Sequence, residues 1–276
     1  MAGTTANPLD YCLELALSPG SLFEFSSRFL SPRRTEALAA LYALQQAVAS
    51  IPRSGLDEAV KWAKLKWWGE ELGADPESVA RHPIVRVLWS SGARERIDRA
   101  LLQRLVHDAA YQVDAAPPAD EAELFERSAA YGATGILLEL ALADAELDGT
   151  RLRHLGAASS VYGLLADAQG NPGLLSRYLP PDLLAAEGYR PDLPAARQER
   201  ELQSVAGQAR TLARGWYEAG RPGLDLGPAS ADCLHMQLRW ALEYRQLSRT
   251  GASRVGHFGP SDAWFAWRFC RRLGRG

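Results

Sequence analysis

Cysteine is scarce in this chain: Cys12, Cys233 and Cys270 are the only three among 276 residues, and none sits in a C-x-x-C pair. An odd, sparse set builds no disulfide scaffold and suits a reducing compartment. The five histidines, His82, His107, His154, His235 and His257, are scattered as well, with no H-E-x-x-H or Cys/His metal spacing. No stretch approaches the run of about 18 uncharged apolar residues that spans a bilayer, so no transmembrane segment is expected. Neither sign of charge dominates. With 31 basic and 33 acidic residues the net charge is −2, which gives no global attraction to nucleic acid. Any anion-binding surface must be local. Walker-type and G-x-G-x-x-G loops are missing, and no Ser/His/Asp elbow can be traced. Met1 to Pro8 lacks a basic segment followed by an apolar run. No secretory signal is expected there, and the cytoplasm is the simplest location.

What is present is apolar and helical in period. Hydrophobic residues make up 47% of the chain, enough for a sizeable core, and charged residues 23%, a globular proportion. Apolar residues recur at three- and four-residue spacing nearly throughout. Ser31-Pro32 ends one segment and starts the next; Leu38, Leu41, Leu44, Val48 and Ile51 form a stripe that Pro52 is expected to stop. Ser54 is the expected N-cap of a helix over 55–73, with Gly73 at its end. His82-Pro83 places a proline at a helix start. Further helices are expected at 94–114, 119–143 and 149–168. From Gln169 to Tyr189 the glycines and prolines predict a structured loop with one short helix, Pro181 to Glu187. A long helix at 191–219, a turn from Gly220 to Pro228 and helices near 229–249 and 260–273 complete the reading. No repeat or long linker divides the chain. One all-α, multi-helix domain over 1–276 is the economical expectation.

Two helices carry the polar pattern of interest. Tyr42, Gln46 and Ala49 share a face, and Arg53 extends it. The 149–168 helix holds small residues, Gly156, Ala157, Ala158, Ser159, Ser160 and Gly163, that permit close backbone approach. Its last turn presents Asp167, and Asn171 lies four further on.

Several stretches together resemble the squalene/phytoene synthase family. Gly20-Ser21-Leu22-Phe23, Arg33, Arg34 and Ala40-Leu41-Tyr42-Ala43-Leu44 resemble its opening segment and its tyrosine-bearing helix. His82-Pro83-Ile84-Val85 resembles a common helix start, and Tyr131-Gly132-Ala133-Thr134-Gly135-Ile136-Leu137-Leu138 a later helix. Leu155-Gly156 through Leu164-Leu165-Ala166-Asp167 and Arg177-Tyr178-Leu179-Pro180 follow in the family's order, with matching spacing from about residue 10 to 190. The resemblance implies an isoprenoid-synthase-type helical bundle around a central apolar cavity. It implies Ser21, Arg34, Tyr42, Gln46, Arg53, Tyr131, Asp167, Asn171, Arg177 and Tyr178 as candidate cavity or ligand-binding residues. It also implies an activity, the head-to-head condensation of two prenyl diphosphates with magnesium held by two D-x-x-x-D pairs on facing helices. Magnesium needs hard oxygen ligands, and an i, i+4 carboxylate pair on one face supplies them.

The chain departs from that pattern where the metal belongs. The first pair is expected at 49 and 53, which are Ala49 and Arg53; the neighbouring Ser50 replaces another acidic residue, and Gln46 stands for an arginine. Of the second pair Asp167 survives, a weak metal candidate, and its partner is Asn171. No catalytic residue is assigned, and magnesium enters only if the enzyme reading holds. Asp167 suits either an anion or metal site or a helix-end hydrogen bond. Arg53 suits either a phosphate contact or a solvated helix end. Tyr42 and Tyr131 fit a cavity lining or a core, and Arg177 with Tyr178 a phosphate contact or a loop pin.

Lys61, Lys64 and Lys66 surround Trp62, Trp67 and Trp68, and Trp264, Phe265, Trp267 and Phe269 interleave with Arg268, Arg271, Arg272 and Arg275. Both groups suit a partner or membrane-headgroup contact, or plain packing. The leading expectation is a family member without magnesium-dependent condensation that binds a lipid, a prenyl ligand or a protein partner. It is similar in its missing aspartates to a branch resembling a complex I assembly factor, whose partner would be a respiratory-chain protein at the inner membrane surface. The alternatives are an active prenyltransferase recruiting Glu70, Glu71 or Glu139 to a divergent metal site, and a prenyl-diphosphate hydrolase or lyase using Arg53 and Arg177.

Overall fold

The computed structural model describes residues 7–17, 21–74, 80–221, 231–249 and 255–273. Gly20, most of the expected turn before Pro228, Gly274 and Arg275 lie outside the described residues, as does the side chain of Arg33. Among the described residues every regular element is helical, in thirteen α-helices and two 3-10 turns.

Local chemistry sets most helix starts. Asn7 caps α1 (Pro8–Ala16) by accepting from Leu9 N–H, and Ser21 caps α2 (Leu22–Ser26) by accepting from Glu24 N–H. The third helix, α3 (Pro32–Arg53), opens on Pro32 at its first turn and runs through Pro52 rather than stopping before it. Pro52 withholds one N–H, but in a final turn that loss costs a single hydrogen bond. Its carbonyl is taken by the buried ammonium of Lys61 at 3.2 Å. Ser54 therefore closes α3, donating its N–H to the Ile51 carbonyl, and Asp57 is the N-cap of α4 (Glu58–Gly73). His82 Nδ1 accepts from Ile84 N–H to cap α5 (Pro83–Ser90). The expected helix at 94–114 divides. A 3-10 turn over Ala93–Glu95 follows Gly92 at φ 79°, and Asp98 caps α6 (Arg99–Asp114).

Asp120 caps α7 (Glu121–Ala143), while the Glu123 carboxylate accepts from Ala119 N–H, a reciprocal arrangement that satisfies two helix-start donors. Asp148 caps α8 (Gly149–Asp167). The loop expected at 169–189 holds two short helices rather than one, α9 (Gly173–Tyr178) and α10 (Pro181–Ala186). Glycine at a helix start disguised the first of them. The chain ends in α11 (Ala195–Gly220), α12 (Ala231–Leu247) and α13 (Pro260–Leu273).

Packing follows residue size. Gly132 of α7 and Gly156 of α8 bring two backbones together: a Cβ on Gly132 would lie 1.9 Å from the Gly156 carbonyl oxygen. The small residues on the 149–168 segment thus permit the close approach expected of them. One core unites α1, α3, α4, α5 and α6 through residues such as Leu41, Leu44, Leu65, Ile84 and Leu102. A second joins α8, α9 and α11 through Val161, Leu165, Leu175, Leu202 and Val205. Trp68 is buried in the first core and Trp67 half-buried beside it, both rings meeting His82, while Trp62 is exposed. Among the described residues no helix is long and apolar enough to cross a membrane.

Candidate functional site

The helices α3, α7, α8 and α12 surround a chamber of about 440 Å³. Its open end lies where α3 and α8 finish. There Arg53 Nη1 donates to Asp167 Oδ2 at 2.5 Å, joining residues 114 positions apart. The Asp167 side chain is 50% exposed and that of Arg53 only 11%. Gly163 lies beside the guanidinium, where a Cβ would make ordinary van der Waals contact with Arg53 Nη1 at 3.8 Å. The two residues read separately from the sequence are therefore one ion pair across the chamber mouth.

Ser21, Tyr42, Gln46, Ala49, Arg53, Tyr131 and Asp167 all line this chamber. Arg177 and Tyr178 face a neighbouring cavity of about 370 Å³ that shares Arg53 and Tyr131 with the first. Arg177 is also a loop pin, donating to the Val113 carbonyl at 2.7 Å and stacking over Tyr178. Burial raises the Tyr131 and Tyr178 phenols, and nearby Arg53 opposes the rise in each case. Arg34 lies elsewhere, donating to the Leu142 carbonyl at 3.1 Å. Asn171 is exposed beyond the end of α8 and lines neither cavity.

The closed end of the chamber is polar: Glu139, named from the sequence as an acid that could turn inward, does line it, whereas Arg239, Glu243 and His235 were not singled out. Arg239 of α12 donates to Glu243 at 2.8 Å and pairs with Glu139 of α7 at 3.2 Å. Ser159 donates to Glu243 at 2.6 Å. The Tyr42 hydroxyl contacts Glu139 at 3.4 Å and His235 Nε2 at 3.3 Å. All three charged side chains are buried. Burial pushes the Glu139 carboxyl up to about 7, with Arg239 opposing, and pushes His235 down to about 4. Burial works against the Arg239 charge too, but Glu139, Tyr42 and Glu243 outweigh it and its pKa is raised. The one sequence signal was Arg239 and Glu243 at i, i+4 between Leu238, Trp240 and Leu242.

These residues do not fit a magnesium cluster. Asp167 is engaged by Arg53, and Ala49 offers no ligand. Glu70 is exposed. Glu71 accepts from the N–H groups of Arg81 and His82 and pairs with the Arg81 side chain. Burial would raise its pKa, yet these bonds together hold it below the usual carboxylate range. Glu139 is committed to Arg239. Among the described residues no group of three His, Cys, Asp or Glu side chains is arranged to hold a metal ion.

An all-helical bundle around a chamber, with its polar mouth where two long helices end, is the architecture of the isoprenoid-synthase fold. The model of the family "Squalene/phytoene synthase" matches residues 19–254, and the chain belongs to that family. Its fold is similar to a dehydrosqualene synthase crystallised with a ligand, at 16% identity and a TM-score of 0.68, covering 97% of this chain and 95% of that one. It is also similar to squalene synthase HpnC from Alicyclobacillus acidocaldarius, at 18% identity and a TM-score of 0.64, covering 87% and 92%. No curated protein matches the chain.

Proposed function

We propose that this member of the squalene/phytoene synthase family does not condense prenyl diphosphates with magnesium, and that it uses its chamber to hold a lipid or to present a surface to a partner. The observation that carries the reading is the Arg53–Asp167 pair at the chamber mouth. A leaving diphosphate needs several positive charges from metal ions, and those need carboxylates. Arg53 brings a single positive charge and occupies the remaining aspartate with it. In this reading the whole chain is one pseudoenzyme domain. Tyr42, Gln46, Arg53, Tyr131 and Asp167 bound the ligand chamber, and Ser21 holds its edge as a helix cap.

In its finer form the proposal takes the partner as a respiratory-chain component and the location as the cytoplasmic side of the inner membrane. The α13 face supports a peripheral membrane contact. Trp264 and Trp267 are 58% and 48% exposed, with Arg268 and Arg271 stacked over their rings. Exposed aromatic rings beside arginines suit a headgroup layer.

The test is incubation with farnesyl or geranylgeranyl diphosphate and magnesium. No pyrophosphate and no condensed hydrocarbon are expected. Magnesium-dependent release of pyrophosphate with a condensed product would restore the active prenyltransferase, and release without a condensed product the hydrolase or lyase. Affinity capture that returns no respiratory-chain protein would remove the finer form.

A further inference from the structure

The last helix is aromatic and cationic on the same outward stripe. Its inner side, Ala266 and Cys270, packs against Phe25 of α2 and Leu238 and Leu242 of α12. Trp264, Trp267, Arg268 and Arg271 are exposed on the other side, at the i, i+3, i+4, i+7 spacing of one helical face. The Arg268 guanidinium lies 5.1 Å from the Trp264 ring centre, and that of Arg271 4.7 Å from the Trp267 ring centre. Each is an i, i+4 pair, so a positive charge rides on each exposed ring.

The charge of the stripe has one sign. The single acid of α13, Asp262, is buried and is taken by Arg245 at 3.0 Å and by Arg249. Arg268, Arg271 and Arg272 pair with no carboxylate among the described residues. Three uncompensated guanidinium groups thus stand together in a chain whose net charge is −2. Trp62 of α4 supplies the contrast. It is exposed too, but Glu58 lies four positions before it and Lys66 four after, so both signs surround it.

Charge and shape decide what this stripe meets. A second copy joined here about a two-fold axis would set arginines against arginines. A bound peptide needs a groove, and no residue of α13 lines either cavity described above. A layer of anionic headgroups fits both features, because indole rings settle at headgroup depth and guanidinium groups bond phosphate oxygens in pairs. Resting on the peripheral-contact reading above, we propose that α13 docks the chain on a membrane surface rich in anionic phospholipid, with Trp264 and Trp267 among the headgroups and Arg268, Arg271 and Arg272 supplying the selectivity for negative charge. Such docking is reversible and weakens with salt. Because α13 packs on α2, whose Leu22 and Phe23 line the chamber, it holds one chamber wall a single helix away from the lipid.

The experiment is cosedimentation of the full chain with large unilamellar vesicles, made of phosphatidylcholine alone or of phosphatidylcholine and phosphatidylglycerol in equal parts. Three arginines beside an anionic surface contribute about a hundredfold, so binding to the anionic vesicles is expected to be at least about thirtyfold tighter at low salt. That advantage is expected to fall about tenfold in about 1 M salt. In Arg268→Gln/Arg271→Gln/Arg272→Gln the two vesicles are expected to bind within about threefold of each other. Trp264→Ala/Trp267→Ala is expected to weaken binding to both by about tenfold, and Trp62→Ala to leave it within about twofold. Circular dichroism checks that the variants are folded, and the wild-type dependence on lipid and salt decides the matter if they are not. Equal binding to both vesicles would overturn the charge selectivity and leave the peripheral contact standing. An equal loss in Trp62→Ala would overturn α13 as the docking face. Binding of polyglutamate in solution that needs both α13 tryptophans would overturn the lipid in favour of an acidic protein. No binding to either vesicle would overturn both the inference and the peripheral contact.

Discussion

The two ends of the chamber solve the same problem in different dielectrics. At the mouth Arg53 meets an aspartate that is half in water. At the closed end Arg239 meets two glutamates whose side chains are buried. A screened pair contributes at most about 1 kcal/mol, and losing Arg53 leaves an aspartate that water already half solvates. A buried set is held by mutual need, because removing one member leaves an uncompensated charge that costs about 3–5 kcal/mol. The difference teaches which end can vary. The mouth can exchange Arg53 at little cost in stability, while the closed end constrains the fold.

That contrast breaks most readily at Arg239. Arg239→Met is expected to lower unfolding stability by about 3–5 kcal/mol in urea denaturation. A loss under about 1 kcal/mol would show that water reaches the closed end. The closed end should also titrate. The Glu139 pKa is raised to about 7 from 4.5, so its contribution is full below pH 4.5 and is lost as pH rises through 7. The His235 pKa is lowered to about 4 from 6.5, so its contribution is full above 6.5 and is lost as pH falls through 4. The two slopes oppose each other in the wild type. In Glu139→Gln the opposing carboxyl slope is gone, and stability is expected to rise more steeply than in the wild type between about pH 4 and 6.5 when followed by denaturant midpoint at each pH.

The mouth should yield gains rather than losses. Ala49→Asp/Arg53→Asp/Asn171→Asp recreates both carboxylate pairs implied by the family pattern. Magnesium at about five times its dissociation constant is expected to stabilise that variant by about 1 kcal/mol in thermal unfolding, and to leave the wild type unchanged. A wild type stabilised equally would mean that Asp167 binds the ion despite Arg53. The smallest effect belongs to Arg53→Ala, expected to cost under about 1 kcal/mol and to become smaller still at high salt. A larger cost would make the mouth pair structural and erase the distinction between the ends.

Helix starts were legible in the sequence because their causes are local. His82-Pro83 and Ser31-Pro32 carry cap and proline within two residues, and the last helix fell at 260–273 as expected. Errors arose where one residue type serves two roles. Ser54 caps an end as well as it would a start, and Pro52 is tolerated in a final turn. At the site, Arg53 and Asp167 were both singled out, but nothing in the sequence near either one announces a bond across 114 positions. Arg239 and Glu243 have the spacing of an exposed helix pair. Their burial comes from α3, α7 and α8 closing over them, which is tertiary information.

The mouth pair has one more consequence. A magnesium ion is a loan from solution, drawn down by chelators and by competition from nucleotides. The guanidinium of Arg53 is a counterion tethered to the backbone. Asp167 therefore keeps its counterion whether divalent cations are scarce or plentiful, and the charge balance of the mouth is set by the chain rather than by the supply of metal.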